Sequence, residues 1–474
     1  MLEIFRGGGT KLRSAPHPKG GILDKTELAV SGQIGSHPKG LYYLFFTEMW
    51  ERFSFYGMSA LLMLYMVKEL LLPENAAQVI GLAGLRAFFE FRGPMSDIAF
   101  ASIIYGWYAG LVYFTPIFGG WVADKLLGAK RTVMIGVVLM SAGHLAMSFY
   151  SSFLLALLLL ILGSGFLKGN ISAQVGALYP QEEESLRSHG YTIFSAGICI
   201  GAASGPLVTG LVAQSHGWHA GFAVTALLML VALAVYAIGQ RHLPHDRPAV
   251  QKREKAAPLS PTERRRIYVL LFVILLTIPA EIAYPMVWSI GILWVDQYVN
   301  LATPMGDMPS SWFAAMDSIG AIIFAPLLVA IWAWQARRGS EPPSITKIGI
   351  GTALVGFAAL LFAYGNMGIT EPDSVSAGWA ISGWLIMGLA WMYYWPTLLA
   401  LVSRTAPPAV TSTLMGVAFL SPFVGHTLAG WVGSYFDQMD PATFWAMDAA
   451  IALAGAAVIL LLRKPLTNGL AAGN

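Results

Sequence analysis

The stretch RHLPHDRPAVQKREKAAPLSPTERRR, Arg241 to Arg266, cuts an otherwise apolar chain into two parts of similar length. Its prolines, alanines and clustered charges predict a flexible or partly helical cytoplasmic strap, too short to hide two further membrane spans. Crossing a hydrocarbon layer of roughly 30 Å takes about 20 mostly apolar residues. Ahead of the strap such runs fall near 39–68, 98–123, 131–150, 152–177, 188–213 and 219–240; behind it they fall near 266–296, 310–336, 345–366, 376–403, 410–436 and 441–462. The reading is an all-α integral membrane protein with twelve transmembrane helices in two six-helix halves. It divides into a cytoplasmic N-terminal segment 1–38, a bundle 39–240, a cytoplasmic linker 241–265, a bundle 266–463 and a cytoplasmic tail 464–474.

Composition excludes other classes. Of 474 residues only 12% are charged and 56% are hydrophobic, about half the charge of an ordinary soluble domain at roughly 25%. A soluble core, a disordered chain and a nucleic-acid binder all need more polar surface, and a formal charge of +3 does not call for an anionic polymer. The one cysteine, Cys199, permits neither an intrachain disulfide nor a thiolate metal site; no metal and no cofactor are expected. No apolar run of signal-peptide length precedes His37, so the first span is expected to act as its own insertion signal. With a cytoplasmic N-terminus, Lys68, Arg86 and Arg92 fall outside and Arg52 and Lys168 within spans, leaving the rest of the 29 Lys and Arg inside. That asymmetry places both termini in the cytoplasm. Glycines 197, 201 and 205 recur every four residues in the fifth span and read as a helix-packing stripe. His144 and His426 read as hydrogen-bonded packing residues within spans, and Trp121, Trp218 and Tyr435 as interfacial anchors.

Ionisable groups at mid-bilayer cost several kcal/mol, so each is a functional candidate. The first span carries Glu48, Glu51 and Arg52, spaced to share one helical face, and the fourth carries Lys168. Two acids and two bases sum to zero, which predicts a buried network between these helices. One reading is a static knot fastening the first span to the fourth, although apolar packing would replace such a knot at little cost. The other is a proton switch, in which an anionic substrate competes for the cations and changes the proton affinity of Glu51.

Two matched halves resemble the duplicated architecture of the major facilitator transporters, whose substrate site lies between the halves. HPKGLYYLFFTEMWERFSFYGM, His37 to Met58, resembles the first-helix signature of the proton-dependent oligopeptide transporter family, with the E-x-x-E-R core at Glu48, Glu51 and Arg52. IYGWYAGLVYFTPIFGGWVADKLLGAKRT, Ile104 to Thr132, resembles that family's second and third helices, and GFLKGNISAQVGALY, Gly165 to Tyr179, its fourth. The similarity covers most of the N-terminal half and thins beyond it. It implies proton coupling through Glu48, Glu51, Arg52 and Lys168, substrate contacts at Arg52, Tyr56, Tyr108 and Lys168, and a conformational loop at Gly120, Asp124, Gly128, Lys130 and Arg131. In that loop Asp124 is expected to cap or complement a helix N-terminus.

The resemblance also marks departures. Met58 and Ser59 follow Gly57 where the family commonly has an Arg, Phe55 stands for the first Tyr of a Tyr-Tyr pair, Cys199 stands where an Asn contacts peptide, and Trp391 stands at the ammonium-binding Glu. Asp317 aligns with a substrate-contacting Asn. Pro285 aligns with a seventh-helix gating Glu, with Glu281 one turn earlier. Asp317 and Glu281 are thus candidate replacements, and altered specificity is expected. The implied function is a proton-gradient-driven symporter importing di- and tripeptides or peptide-like molecules by alternating access, acting as a monomer in a bacterial inner membrane. The alternative is a facilitator that moves a non-peptide organic anion or a drug-like compound, inward or outward. No H-E-x-x-H or G-x-S-x-G motif supports an enzyme.

Overall fold

The structure, a computed structural model, describes residues 33–34, 37–180, 182–244, 259–369 and 374–471. Most of the strap, residues 245–258, and most of the segment 1–38 lie outside the described residues. Twelve long helices run through the rest: α1 Lys39–Tyr65, α2 Asp97–Leu127, α3 Ala129–Ala146, α4 Tyr150–Ala177, α5 Glu184–His216, α6 Trp218–His242, α7 Pro261–Trp288, α8 Ser310–Arg337, α9 Ser344–Gly365, α10 Ala377–Thr405, α11 Thr411–Gln438 and α12 Pro441–Leu461. Ten of them are long and apolar enough to cross a membrane on length and composition alone. The other two are α1, with Glu48, Glu51 and Arg52 at its middle, and the shorter α3. The tail residues Arg463–Ala471 form a further helix whose Leu466 and Leu470 are buried.

Helix starts follow local chemistry. In Ser260-Pro261-Thr262-Glu263 the Ser260 Oγ accepts from the Glu263 amide at 3.2 Å and the Glu263 carboxylate accepts from the Ser260 amide at 2.8 Å. This capping box, with proline in the first turn, opens α7 where the strap ends. Ser96 caps α2 and Asp440 caps α12 through the amides of Ala99 and Thr443. Between α1 and α2, Arg86 donates to Glu90 at 2.9 Å, Asp97 at 2.7 Å and the Met95 carbonyl at 2.9 Å, stapling the loop. The Arg86 guanidinium, with help from the Met95 amide, holds the Glu90 carboxyl below its ordinary value.

Close helix crossings position the site. The stripe at Gly197, Gly201 and Gly205 faces α1 as expected: a side chain at 201 would come within 2.8 Å of the Arg52 Cβ and of the Phe53 amide. Glycine there lets α5 lie against the turn that carries Arg52. Between the halves, a side chain at Gly106 of α2 would meet the Gly430 Cα of α11 at 2.6 Å, and Ser102 Oγ donates to the Gly430 carbonyl at 3.0 Å.

Contacts across the halves gather on the face opposite the strap, here the far face. Lys68 pairs with Asp296 at 2.5 Å, Gln214 donates to the Asp307 carbonyl at 3.0 Å, and Trp312 Nε1 donates to the Leu207 carbonyl at 2.8 Å. Phe89, from the α1–α2 loop, meets the Trp431 ring of α11 edge-on at 5.9 Å.

The α2–α3 turn differs from expectation in one respect. Gly120 lies in α2, a π-turn at Ala123–Leu127 ends that helix, and Gly128 opens α3 with φ 79°, a conformation that favours glycine. Asp124 lies in that last π-turn and is exposed, and no side chain caps α3. The expected helix N-terminus is instead served by Gly128. The turn is tied inward through the Lys130 carbonyl, which accepts from Tyr236 of α6 at 3.2 Å, while Arg131 is exposed. Trp121 and Tyr435 are exposed near helix ends, as read from the sequence, whereas Trp218 packs against Tyr65.

Candidate functional site: a charged cavity between the halves

A cavity of about 670 Å³ lies between the two halves, within the range of small-molecule sites. Its N-terminal wall carries Arg52, Tyr56, Tyr108, Lys168 and Cys199; its C-terminal wall carries Glu281, Asp317 and Trp391. Every residue read from the sequence as substrate-contacting therefore lies on this one cavity. Trp391 is 38% exposed and presents its ring to it.

The charges on α1 form a compact knot. Arg52 Nε pairs with Glu48 at 2.9 Å and with Glu51 at 2.5 Å. Glu48 and Arg52 reach the cavity; Glu51 is fully buried behind them and does not line it. Residues three and four apart share a helical face, so a single turn brings all three together.

Lys168 stands off from the direct ion pairs of that knot, yet lies close enough to attract Glu48 and Glu51. Among the described residues it forms no ion pair. Its Nζ lies 4.5 Å from the Phe55 ring centroid and 5.3 Å from that of Tyr113. Arg52 approaches the same Phe55 ring at 5.7 Å. The physical reason is position: Phe55 follows Arg52 by three residues and offers its ring to both cations, which its π-cloud attracts. Sequence reading treated Phe55 as a lost hydroxyl and missed it as a plate for cations.

The opposite wall is acidic. Asp317 Oδ2 accepts from the Tyr284 hydroxyl at 2.8 Å and Trp288 Nε1 at 3.2 Å, while Oδ1 accepts from the Ser318 amide at 2.5 Å and its hydroxyl at 3.2 Å. Neutral donors thus orient this buried carboxylate, and among the described residues no cation balances it. Glu281 is buried, faces Tyr394 and has one carboxylate oxygen without a hydrogen-bond partner.

Local geometry of the seventh span explains this wall. The α-helical piece Ile278–Ala283 passes into a 3-10 turn, Tyr284–Trp288, then restarts at Ile290–Tyr298 after Ser289. Prolines 279 and 285 remove two backbone donors here, and the tightened turn aims Glu281, Tyr284, Pro285 and Trp288 at the cavity together. The Tyr56 ring reaches across to Trp288, centroids 5.3 Å apart. Tyr284, Trp288, Tyr394 and Tyr113 were not singled out in the sequence; the only available signal was their aromatic character.

The two histidines part company. His144 is fully buried and its Nδ1 lies 3.2 Å from Thr225 Oγ1, a packing role as read. His426 instead lines the cavity beside the Tyr113 ring at 5.0 Å.

Comparison with known proteins agrees with this architecture. The Di-/tripeptide transporter of Lactococcus lactis subsp. cremoris is 28% identical, over 94% of this chain and 98% of its own length. A crystal structure of peptide transporter POT in complex with sulfate superposes with a TM-score of 0.81 at 22% identity, covering 94% of this chain and 99% of that one. A POT family transporter in complex with 5-aminolevulinic acid gives 0.79 at 22% identity, with coverage of 92% and 98%. A sequence profile of the Major Facilitator Superfamily matches residues 44–430. With twelve helices in two halves around a central cavity, and a match across most of its length, the chain belongs to the Major Facilitator Superfamily.

Proposed function

We propose that this protein is a proton-coupled importer of di- and tripeptides and related small zwitterions. One observation carries the reading: the cavity sets Arg52 and Lys168 on one wall against Asp317 and Glu281 on the other. A solute with a carboxylate at one end and an ammonium at the other matches both walls. The carboxylate docks at Arg52 and Lys168; the ammonium docks at Asp317, whose negative charge has oriented hydrogen bonds but, among the described residues, no countercharge. Glu281 is the second acid within reach.

Coupling follows from the knot on α1. A carboxylate arriving at Arg52 competes with Glu48 and Glu51 for the guanidinium. An acid deprived of its cation in a buried setting takes up a proton, because an unpaired buried charge is expensive. Cargo and proton then travel together without a chemical reaction, and a proton gradient is the only drive required. In this reading the protein acts as a single chain, is no enzyme, and sits in a bacterial inner membrane with both termini in the cytoplasm. The similarity to a di-/tripeptide transporter supports it.

The test is dialanine uptake by proteoliposomes under an imposed inward proton gradient. Wild-type protein should accumulate dialanine, and Glu51→Gln should abolish accumulation while retaining exchange of labelled for unlabelled peptide. Full accumulation by Glu51→Gln would remove Glu51 from coupling. Asp317→Asn should raise the KM for dialanine by about ten- to a hundredfold, the equivalent of one charged hydrogen bond of roughly 1.5–3 kcal/mol. It should leave competition by N-acetyl-alanine, which lacks the ammonium, nearly unchanged. An equal loss for both solutes would contradict the ammonium role.

A second reading, a carrier of non-peptide solutes, is favoured by the aromatic lining at Tyr56, Trp288 and Trp391. A related fold binds 5-aminolevulinic acid, which has no peptide bond. Inhibition of dialanine uptake by small amino acids of that length would extend the substrate class rather than replace it.

A further inference from the structure

A second cavity, of about 650 Å³, opens on the far face of the closed crossing between the halves. Lys68 from the turn Met66–Leu70 that follows α1 and Asp296 from the last piece of the seventh span both line it. They meet across the halves at 2.5 Å, and Ser310 donates to the free oxygen of Asp296 at 3.1 Å. The Lys68 side chain is 46% exposed and that of Asp296 16%. An ion pair this exposed is weakly held, since water screens its attraction and both side chains lose freedom in forming it. Gln214 and Trp218 complete the N-terminal wall, and Asn300 and Asp307 the opposite one.

From this juxtaposition we infer that the far-face cavity is a second, outer binding site for the zwitterionic solute, at which the solute exchanges partners with the Lys68–Asp296 pair. The inference rests on the peptide reading above. A zwitterion carries the same two charges as the pair itself. Its carboxylate takes Lys68 and its ammonium takes Asp296, so both charges keep a countercharge while their own link across the halves is broken. An anion alone or a cation alone satisfies one partner and strands the other. The site therefore favours solutes bearing both charges, and a seated solute removes the Lys68–Asp296 link from the far-face crossing. The cavity is roomy enough for a short peptide.

Thiol labelling separates this site from the central one. Cys199 is the only cysteine, is partly exposed and lines the central cavity, so it reports central occupancy in the native chain. Met308→Cys, made with Cys199→Ser in the full-length protein, reports the outer cavity, which Met308 lines. Labelling by a membrane-impermeant thiol reagent is followed with and without dialanine. At about ten times its half-saturating concentration, dialanine should slow labelling at 308 about tenfold, since only the free site reacts. Lys68→Ala and Asp296→Asn should each abolish that protection, and Lys68→Arg should retain it. Protection of Cys199 without protection at 308 overturns the outer site. So does protection at 308 that survives both Lys68→Ala and Asp296→Asn, which would mark an indirect effect of central binding. Protection at 308 alone supports the outer site and rejects the central one; protection at neither cysteine rejects both.

Discussion

Arg52→Met should strongly destabilise the protein and abolish transport, while Glu48→Gln/Glu51→Gln/Arg52→Met together should recover the stability and none of the transport. Arg52 lies between two buried carboxylates at 2.9 and 2.5 Å. Removing one member of a buried ion pair costs about 3–5 kcal/mol, chiefly because the partner is left without a countercharge, and here two partners are stranded. Neutralising both acids removes that cost but also removes the groups that exchange a proton for cargo. Thermal unfolding in detergent reads the first effect and gradient-driven dialanine uptake the second. A single variant as stable as wild type would show that the knot does not hold α1 in place.

Lys168→Ala should separate the same two properties in the opposite sense. Its ammonium rests on the Phe55 and Tyr113 rings and, among the described residues, holds no carboxylate. Cation–π contacts contribute about 0.5–2 kcal/mol, so the melting temperature without ligand should move little. The substrate carboxylate, by contrast, loses a charged hydrogen bond of roughly 1.5–3 kcal/mol. Dialanine affinity should fall about ten- to a hundredfold, read as the loss of the ligand-induced rise in melting temperature, and uptake should fall with it. A large drop in unliganded stability would assign Lys168 to fastening α4.

The scaffold was legible because each span announces itself over about 20 neighbouring residues and the strap separates two equal sets. The first-helix charges were legible for a related reason: Glu48, Glu51 and Arg52 are close enough in sequence for helical geometry alone to bring them together. Lys168 was found on the cavity, but its seat against Phe55 was not, since the spacing along α4 says nothing about an aromatic plate supplied by α1. Asp317 and Glu281 were placed on the cavity, yet the broken seventh span that aims Tyr284 and Trp288 at Asp317 was not foreseen. Pro285 was read only as the position aligned with a gating Glu, not as the helix break that its missing backbone donor makes. The Lys68–Asp296 pair was illegible altogether, because it joins residues from different halves that no local pattern relates.

The Gly106–Gly430 crossing carries a consequence for motion. It falls nine residues into α2, about 14 Å from that helix's far-face end at 1.5 Å per residue, with the outer ion pair on one side of it and the cavity on the other. Were the two bundles to pivot there, parting the far-face ends would bring the opposite ends together. Such leverage would work with the side chains at either mouth, opposing a continuous water path through the membrane.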